Sequence, residues 1–333
     1  MTSFRDRWRL IPAAGRALAV RVAGARAPLA ARIQVTQRCA ARCLYCKLPA
    51  EGDDPLSTGE LERILAELAE LGCLRISFSG GEPMLRQDIG ALVDRCADLG
   101  MAPEMNASGA GFVERSTEVS RLRLLKLSLD GPPAVHDRQR GREGSHAEVL
   151  ASARRAREMG IRVVLVTTIT RHNVDRLDHV LEVARREGVL AAFQPLKPYY
   201  KGLRDVEELL PEPTEMTRAV QGLIEARRGA YRGTLRNSLP GLRHLSRWPD
   251  YGELRCWAGR IFCIVGADGT LYPCDRTRLT APLPNVQEQG VARAMARLPE
   301  PDCDGCGFCG ALELNLALDL DWRIAGTILR LVR

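Results

Sequence analysis

Three cysteines near the start of the chain, Cys39, Cys43 and Cys46, are separated by three residues and then by two. Thiolates so spaced can wrap one face of a cubane iron–sulfur cluster. A [4Fe–4S] cluster normally takes four cysteines, so three would leave one iron open to a small chelating ligand. A structural zinc site or a plain electron-transfer cluster is the competing reading, and zinc wants a fourth ligand nearby. None of the five histidines is close; the nearest along the chain is His136.

A second set lies towards the other end: Cys256, Cys263 and Cys274, then Cys303, Cys306 and Cys309. Residues 251–310 are rich in Cys and Gly with little hydrophobic periodicity, as expected where a bound cluster organises the chain. Asp268-Gly269 suits the tight turn of a small hairpin. Pro273 would end the returning strand and present Cys274. The remaining two read as small core residues: Cys96 falls on an apolar helical stripe, and Cys73 leads into a strand. Eleven cysteines, mostly clustered and without a secretory signal, favour metal chemistry in a reducing cytoplasm over disulfides.

These groups need a frame, and residues 31–200 supply its pattern. Short apolar runs at Arg32–Thr36, Leu74–Ser79, Met101–Asn106, Arg123–Leu129, Arg162–Ile169 and Leu190–Gln194 read as strands buried on both faces. Helical stripes lie between them. One begins at Ser57 or Thr58, carries Leu61, Ile64, Leu65 and Leu68, and ends at Gly72; another carries Ile89, Leu92, Val93 and Cys96 and ends at Gly100. Ser145 and Asn173 are the expected N-caps of two more, which end near Gly160 and Gly188. Six β/α units in series predict an α/β fold with a parallel sheet, as a partial (β/α)6 TIM-like barrel, and chemistry at the C-terminal ends of its strands. The 333 residues are 45% hydrophobic and 27% charged, an ordinary globular composition. No run approaches the ~20 apolar residues of a membrane span. The formal charge of +7 permits an anionic partner, and no nucleic-acid partner is expected.

The cysteine loop, with Tyr45 before its third cysteine, resembles the radical S-adenosylmethionine (SAM) superfamily. Gly80-Gly81-Glu82-Pro83 after the second strand looks like that family's GGEP motif. Ser128-Leu129-Asp130-Gly131 ends the fourth strand, followed by His136-Asp137 and Arg140-Gly141, as in the branch with sulfatase-maturing and peptide-modifying members. The resemblance implies a [4Fe–4S] cluster on Cys39, Cys43 and Cys46 whose open iron binds SAM. Electron injection would give a 5′-deoxyadenosyl radical that abstracts hydrogen, an oxidoreductase chemistry fed by a donor such as flavodoxin or ferredoxin. Gly80 and Gly81 would let the backbone approach SAM, Glu82 would receive its ammonium group, Ser128 its ribose, and Arg140 its carboxylate. One departure stands out: Thr-Asn-Gly, frequent after the third strand in this branch, is here Ala107-Ser108-Gly109.

The stretch from Cys256 to Cys274, with Gly269 four residues short of the second cysteine, resembles the start of a SPASM or twitch domain. Such a domain holds auxiliary [4Fe–4S] clusters. A full one has seven cysteines and this chain has six there, which implies one auxiliary cluster. Cys256 and Cys274 are the leading ligands. At least one of Cys303, Cys306 and Cys309 joins them, and Cys263 is a candidate fourth. A zinc knuckle is the alternative.

The expected organisation is a basic amphipathic segment (1–29), a barrel (30–200), a helical connector (201–250), a cluster domain (251–315) and a basic amphipathic helix (316–333). The two ends, with Trp8, Arg7 and Arg9 in one and Trp322, Arg323 and Arg330 in the other, could touch an anionic membrane peripherally. Terminal helices packed on the barrel, with snorkelling arginines, are the plainer expectation. Only 30 residues precede the first strand, few for the leader-binding domain of many peptide-modifying relatives. A small-molecule or lipid-like substrate is therefore the first expectation and a peptide substrate the alternative. A non-catalytic electron-transfer or zinc protein is a third.

Overall fold

The structure is a computed structural model that describes residues 15–17, 19–46, 48, 54–197, 206–252, 254–275, 281–303 and 305–319. Six parallel strands follow one another in chain order: β1 (Ala30–Thr36), β2 (Arg75–Gly80), β3 (Ala102–Ala107), β4 (Leu124–Ser128), β5 (Arg162–Ile169) and β6 (Leu190–Pro195). Helices α1 (Thr58–Glu70), α2 (Ile89–Asp98), α3 (Pro133–Arg140), α4 (Ser145–Glu158) and α5 (Leu177–Glu187) lie between them. The strand ends fall within about two residues of the sequence reading, because the apolar runs and their glycine stops are strong local signals.

Each strand has two chemically different faces. Ile33, Phe78, Met105, Leu125, Leu165 and Phe193 point into one core with the helices. The alternate residues, among them Gln34, Ser77, Asn106, Lys126, Thr168 and Gln194, line a cavity on the other side. The strands are therefore not apolar on both faces, as the runs suggested. A period of two in side-chain direction separates a dry outer layer from a polar inner one.

Helix α1 shows how the outer layer is built. Ser57 caps it by accepting from Glu60 N–H at 3.3 Å, and Glu60 reaches back to Ser57 N–H at 2.7 Å. Leu61, Ile64, Leu65 and Leu68 are buried under it. The two other expected caps are not caps. Ser145 is the first residue of α4, and Asp137 from the end of α3 does the capping: it accepts from Gly144 N–H, Ser145 Oγ and His146 N–H, each at 2.8 Å. Asn173 is fully buried four residues before α5, where its amide donates to Asp130 O at 2.8 Å and Thr168 O at 3.0 Å.

The C-terminal third joins the barrel sheet. β7 (Phe262–Val265) pairs parallel with β1, and β8 (Leu271–Tyr272) returns antiparallel through the turn at Gly269, whose φ of +81° favours glycine. The eight strands run in the order β6-β5-β4-β3-β2-β1-β7-β8, and the sheet stays open. Residues 251–315 are thus continuous with the barrel, because β7 adds to its sheet beside β1. Helices α6 (Pro213–Arg228) and α7 (Leu239–Leu245) precede this part, and α8 (Val286–Ala296) and α9 (Cys309–Leu318) follow. Helix α9 bridges the opening: Cys309 meets Gln194 of β6, and Ala311 packs with Phe262 of β7. The β6 edge is covered from outside, where Asn237 accepts from Phe193 N–H at 2.8 Å and donates to Phe193 O at 2.9 Å.

Residues 19–23 are helical, and Val20 is buried with Trp257 and Ile261. Trp8, Arg7, Arg9, Trp322, Arg323 and Arg330, on which the membrane expectation rests, lie outside the described residues. Among the described residues no helix is long and apolar enough to cross a membrane.

Replacing Asp137 by Ala removes the three bonds that start α4. We expect a loss of about 1–2 kcal/mol, the upper part of the range for a lost N-cap, read as a lower denaturant midpoint at unchanged m-value. Asp137→Asn should lose less, since it keeps one carbonyl acceptor.

Candidate active site

The cysteine loop leaves β1 at Thr36 and has neither helix nor strand of its own. Backbone bonds from two sides fix it. On one side Gly81 N–H donates to Thr36 O and Glu82 N–H to Arg38 O, both at 2.8 Å. The approach is so close that a Cβ on Gly81 would sit 2.1 Å from Arg38 O. On the other side Arg42 N–H donates to Arg140 O at 2.9 Å, and Leu44 N–H to Gln139 O at 3.0 Å. These acceptors are end carbonyls of α3, groups that a helix leaves unpaired and partly negative.

Cys39, Cys43 and Cys46 are all part-exposed on this loop. Burial, with the nearby Glu82, Cys43 and Cys46, pushes the Cys39 thiol up to about 11. The three thiols are therefore close enough to feel one another's charge. Glu82 lies beneath them, fully buried. Its Oε2 accepts from Ser108 N–H at 2.7 Å and Ser108 Oγ at 2.5 Å, and burial raises its carboxyl to about 7. Ser108, which stands where relatives often have Asn, thus keeps a polar tie to the GGEP-like turn. The sequence marked this position as a departure from the family pattern, and the structure shows the polar contact that Ser108 makes there.

Tyr45 and Thr168 line the same cavity, and burial pushes the Tyr45 phenol up. Ser128 ends β4 on the same wall. Arg140 Nε donates to the buried Asp130 at 2.7 Å, its guanidinium lies 5.8 Å from the Tyr45 ring centroid, and Nη1 stands 3.8 Å from Cys43 Sγ. Asp130 is held in turn by Thr168 N–H at 3.0 Å. The pair makes Arg140 a strut of the cysteine loop on the wall of the same cavity.

The C-terminal cysteines divide. Cys256, Cys274, Cys303 and Cys306 wall one small cavity together with Phe262, Phe308 and Lys197. Burial raises Cys306, to about 12, and Cys256, and each of the two feels Cys303. Cys263 is elsewhere. Strand parity puts it on the core side of β7, 1% exposed, where its thiol neighbour is Cys73. It cannot complete the four without turning the strand over. Cys309 also points away, with Sγ 3.4 Å from Gln194 in the barrel cavity. Cys73 and Cys96 are core residues, 5% and 0% exposed. Among the described residues no three thiol, imidazole or carboxylate groups converge on a single-ion site. A cubane seats its thiolates on separate irons and asks for wider spacing.

The family model for the radical SAM superfamily matches residues 33–185. The PqqA peptide cyclase of Methylobacterium nodulans is 30% identical over 287 residues, 82% of this chain and 74% of that one. The chain belongs to the radical SAM superfamily. Its fold is also that of solved structures. Streptococcus suis SuiB bound to precursor peptide SuiA aligns at a TM-score of 0.65 and 15% identity, over 86% of this chain and 69% of that one. Native anSMEcpe with bound AdoMet and the Cp18Cys peptide aligns at 0.63 and 19%, over 81% and 80%. Membership makes this chain an enzyme of the radical SAM class and implies a [4Fe–4S] cluster and SAM. The donor set fits: three neighbouring part-exposed thiols on a clamped loop, whose Tyr45 lines a cavity of about 330 Å³.

Gly141 tests the clamp. Its φ is +61°, and a Cβ there would lie 2.4 Å from Arg42 O, whereas Gly144, with φ +77°, has open space. Gly144→Ala should cost about 1 kcal/mol of left-handed strain alone. Gly141→Ala should cost more and also lower the iron taken up on anaerobic reconstitution. Equal iron in both variants would show that α3 does not hold the loop.

Proposed function

We propose that this radical SAM enzyme modifies a peptide, and the observation that carries this is the 30% identity with a PqqA peptide cyclase over 82% of the chain. The solved relatives whose fold it shares include two captured with peptides. Both lines favour the peptide alternative over the small-molecule or lipid-like substrate expected first.

In this reading Cys39, Cys43 and Cys46 would hold the cluster, leaving it open to SAM. Glu82 receives the SAM ammonium through Oε1, which carries only a long bond of 3.4 Å from Met84 N–H. Gly80 and Gly81 let the backbone lie against SAM, and Tyr45 and Ser128 bound the adenosyl side of the cavity. Bound there, the cluster and SAM would supply radical chemistry for hydrogen abstraction from the substrate. The protein holds the substrate carbon in reach on the polar inner face and excludes water with α9. Cys256, Cys274, Cys303 and Cys306 complete an auxiliary [4Fe–4S] cluster, four thiolates for four irons. Cys263 and Cys309 are not ligands.

Two experiments test this. Reconstituted wild type should hold about eight irons, as two cubanes, and both Cys256→Ser and the triple Ala variant of Cys39, Cys43 and Cys46 about four. Cys309→Ser and Cys263→Ser should keep all of them. The triple variant should make no 5′-deoxyadenosine. Tightly bound zinc with about four irons in wild type would remove the auxiliary cluster. For the substrate, SAM turnover with a pool of perdeuterated peptides should place deuterium in 5′-deoxyadenosine. Deuterium arriving only from a perdeuterated small-molecule and lipid extract would restore the first expectation.

A further inference from the structure

Beneath the level of the cysteine loop, the inner end of the barrel cavity holds more positive charge than the described protein neutralises. Arg75 opens β2, Lys126 lies in mid-β4, and Arg236 enters beside β6, where its N–H donates to Ala191 O at 2.8 Å. All three line the cavity. One carboxylate, Glu104 of β3, serves the first two: Lys126 Nζ lies 2.5 Å from it and Arg75 Nη1 3.9 Å. Although burial opposes it, those two cations hold Glu104 well below the usual carboxylate range.

Arg236 only shares that carboxylate: Glu104 attracts it at longer range and also pairs with the other two cations. Among the described residues its guanidinium makes no hydrogen bond and closes no ion pair, and burial pushes its pKa down. The one other acid in reach is Glu313 of α9, which burial raises towards its neutral form and which is engaged by Ser238 N–H at 2.8 Å. Three cations around one shared carboxylate leave positive charge poorly compensated away from bulk water, which calls for an anionic occupant on this cavity wall. The wall above it suits the stem of such an occupant: Val166 and Ala192 are apolar and small, while Asn106 and Gln194 offer amides.

We propose that this inner end is a receptor for a substrate carboxylate, anchored by Arg236 and flanked by Arg75 and Lys126. The planar guanidinium matches a carboxylate through paired N–H bonds. The proposal rests on the peptide reading for the source of that group, an Asp or Glu side chain. Bound so, the methylenes between carboxylate and peptide backbone lie along Val166 and Ala192, towards the strand ends where Ser128, Thr168 and Tyr45 meet.

The test uses the reconstituted enzyme with SAM, under anaerobic conditions, titrated calorimetrically with three probes: N-acetyl-glutamate methylamide, its glutamine counterpart, and free glutarate. The capped glutamate should bind at least tenfold more tightly than the capped glutamine. Arg236→Gln should abolish that preference and Arg236→Lys should keep part of it, with cluster absorbance and thermal midpoint showing that both variants are folded. Phenylglyoxal should label Arg236, and the capped glutamate should protect it. Equal binding of the two capped probes would overturn the carboxylate receptor while leaving the peptide reading intact. A preference that survives Arg236→Gln would likewise overturn it. Binding of glutarate but not of capped glutamate, lost in Arg236→Gln, would support the receptor and overturn the peptide source.

Discussion

Everything at this site depends on holding a loop without secondary structure against two rigid neighbours. Its backbone is bonded to the Gly80-Gly81 turn through Thr36 O and Arg38 O, and to the end of α3 through Arg42 and Leu44 N–H. Neither neighbour could approach so closely with a side chain at Gly81 or Gly141, where an added Cβ would meet backbone oxygen at 2.1 Å and 2.4 Å. The motif glycines and the Arg140-Gly141 pair therefore serve one purpose from opposite sides. They replace the ladder bonds that the loop lacks.

Behind that clamp, the barrel is a division of labour between strand faces. The outward row packs Ile33, Phe78, Leu125 and Phe193 under the helices. The inward row is free to be polar because the sheet curves around it and α9 spans the gap, which lets charged groups such as Glu104 and Lys126 pair away from bulk water. Asp130 joins the two systems. It ties α3 to β5 through Arg140 and Thr168, so the loop clamp and the cavity wall share one buried carboxylate.

Local chemistry was legible in the sequence wherever a short stretch settled it. The six strands, the capped start of α1, the hairpin at Gly269 and the core role of Cys96 all depend on neighbours within a dozen residues. Failures came where a distant group took over. Asp137, not Ser145, starts α4; Asn173 bonds to Asp130, more than forty residues away. Cys263 looked like a ligand because of its type, yet pairing of β7 with β1 fixed its parity and turned it into the core. That pairing joins segments more than two hundred residues apart, which no periodicity reports. Arg236 was invisible for a related reason: its significance lies in the charges it meets across the fold.

The side chain of Asn237 has a consequence away from chemistry. An open parallel sheet ends in strands whose free N–H and C=O groups can template another chain. At one flank Asn237 occupies both groups of Phe193, and the adjoining backbone engages Ala191. At the other flank the last strand is only Leu271–Tyr272, too short to offer a register. A barrel left open for its contents thus presents little edge along which copies of itself could stack into aggregates.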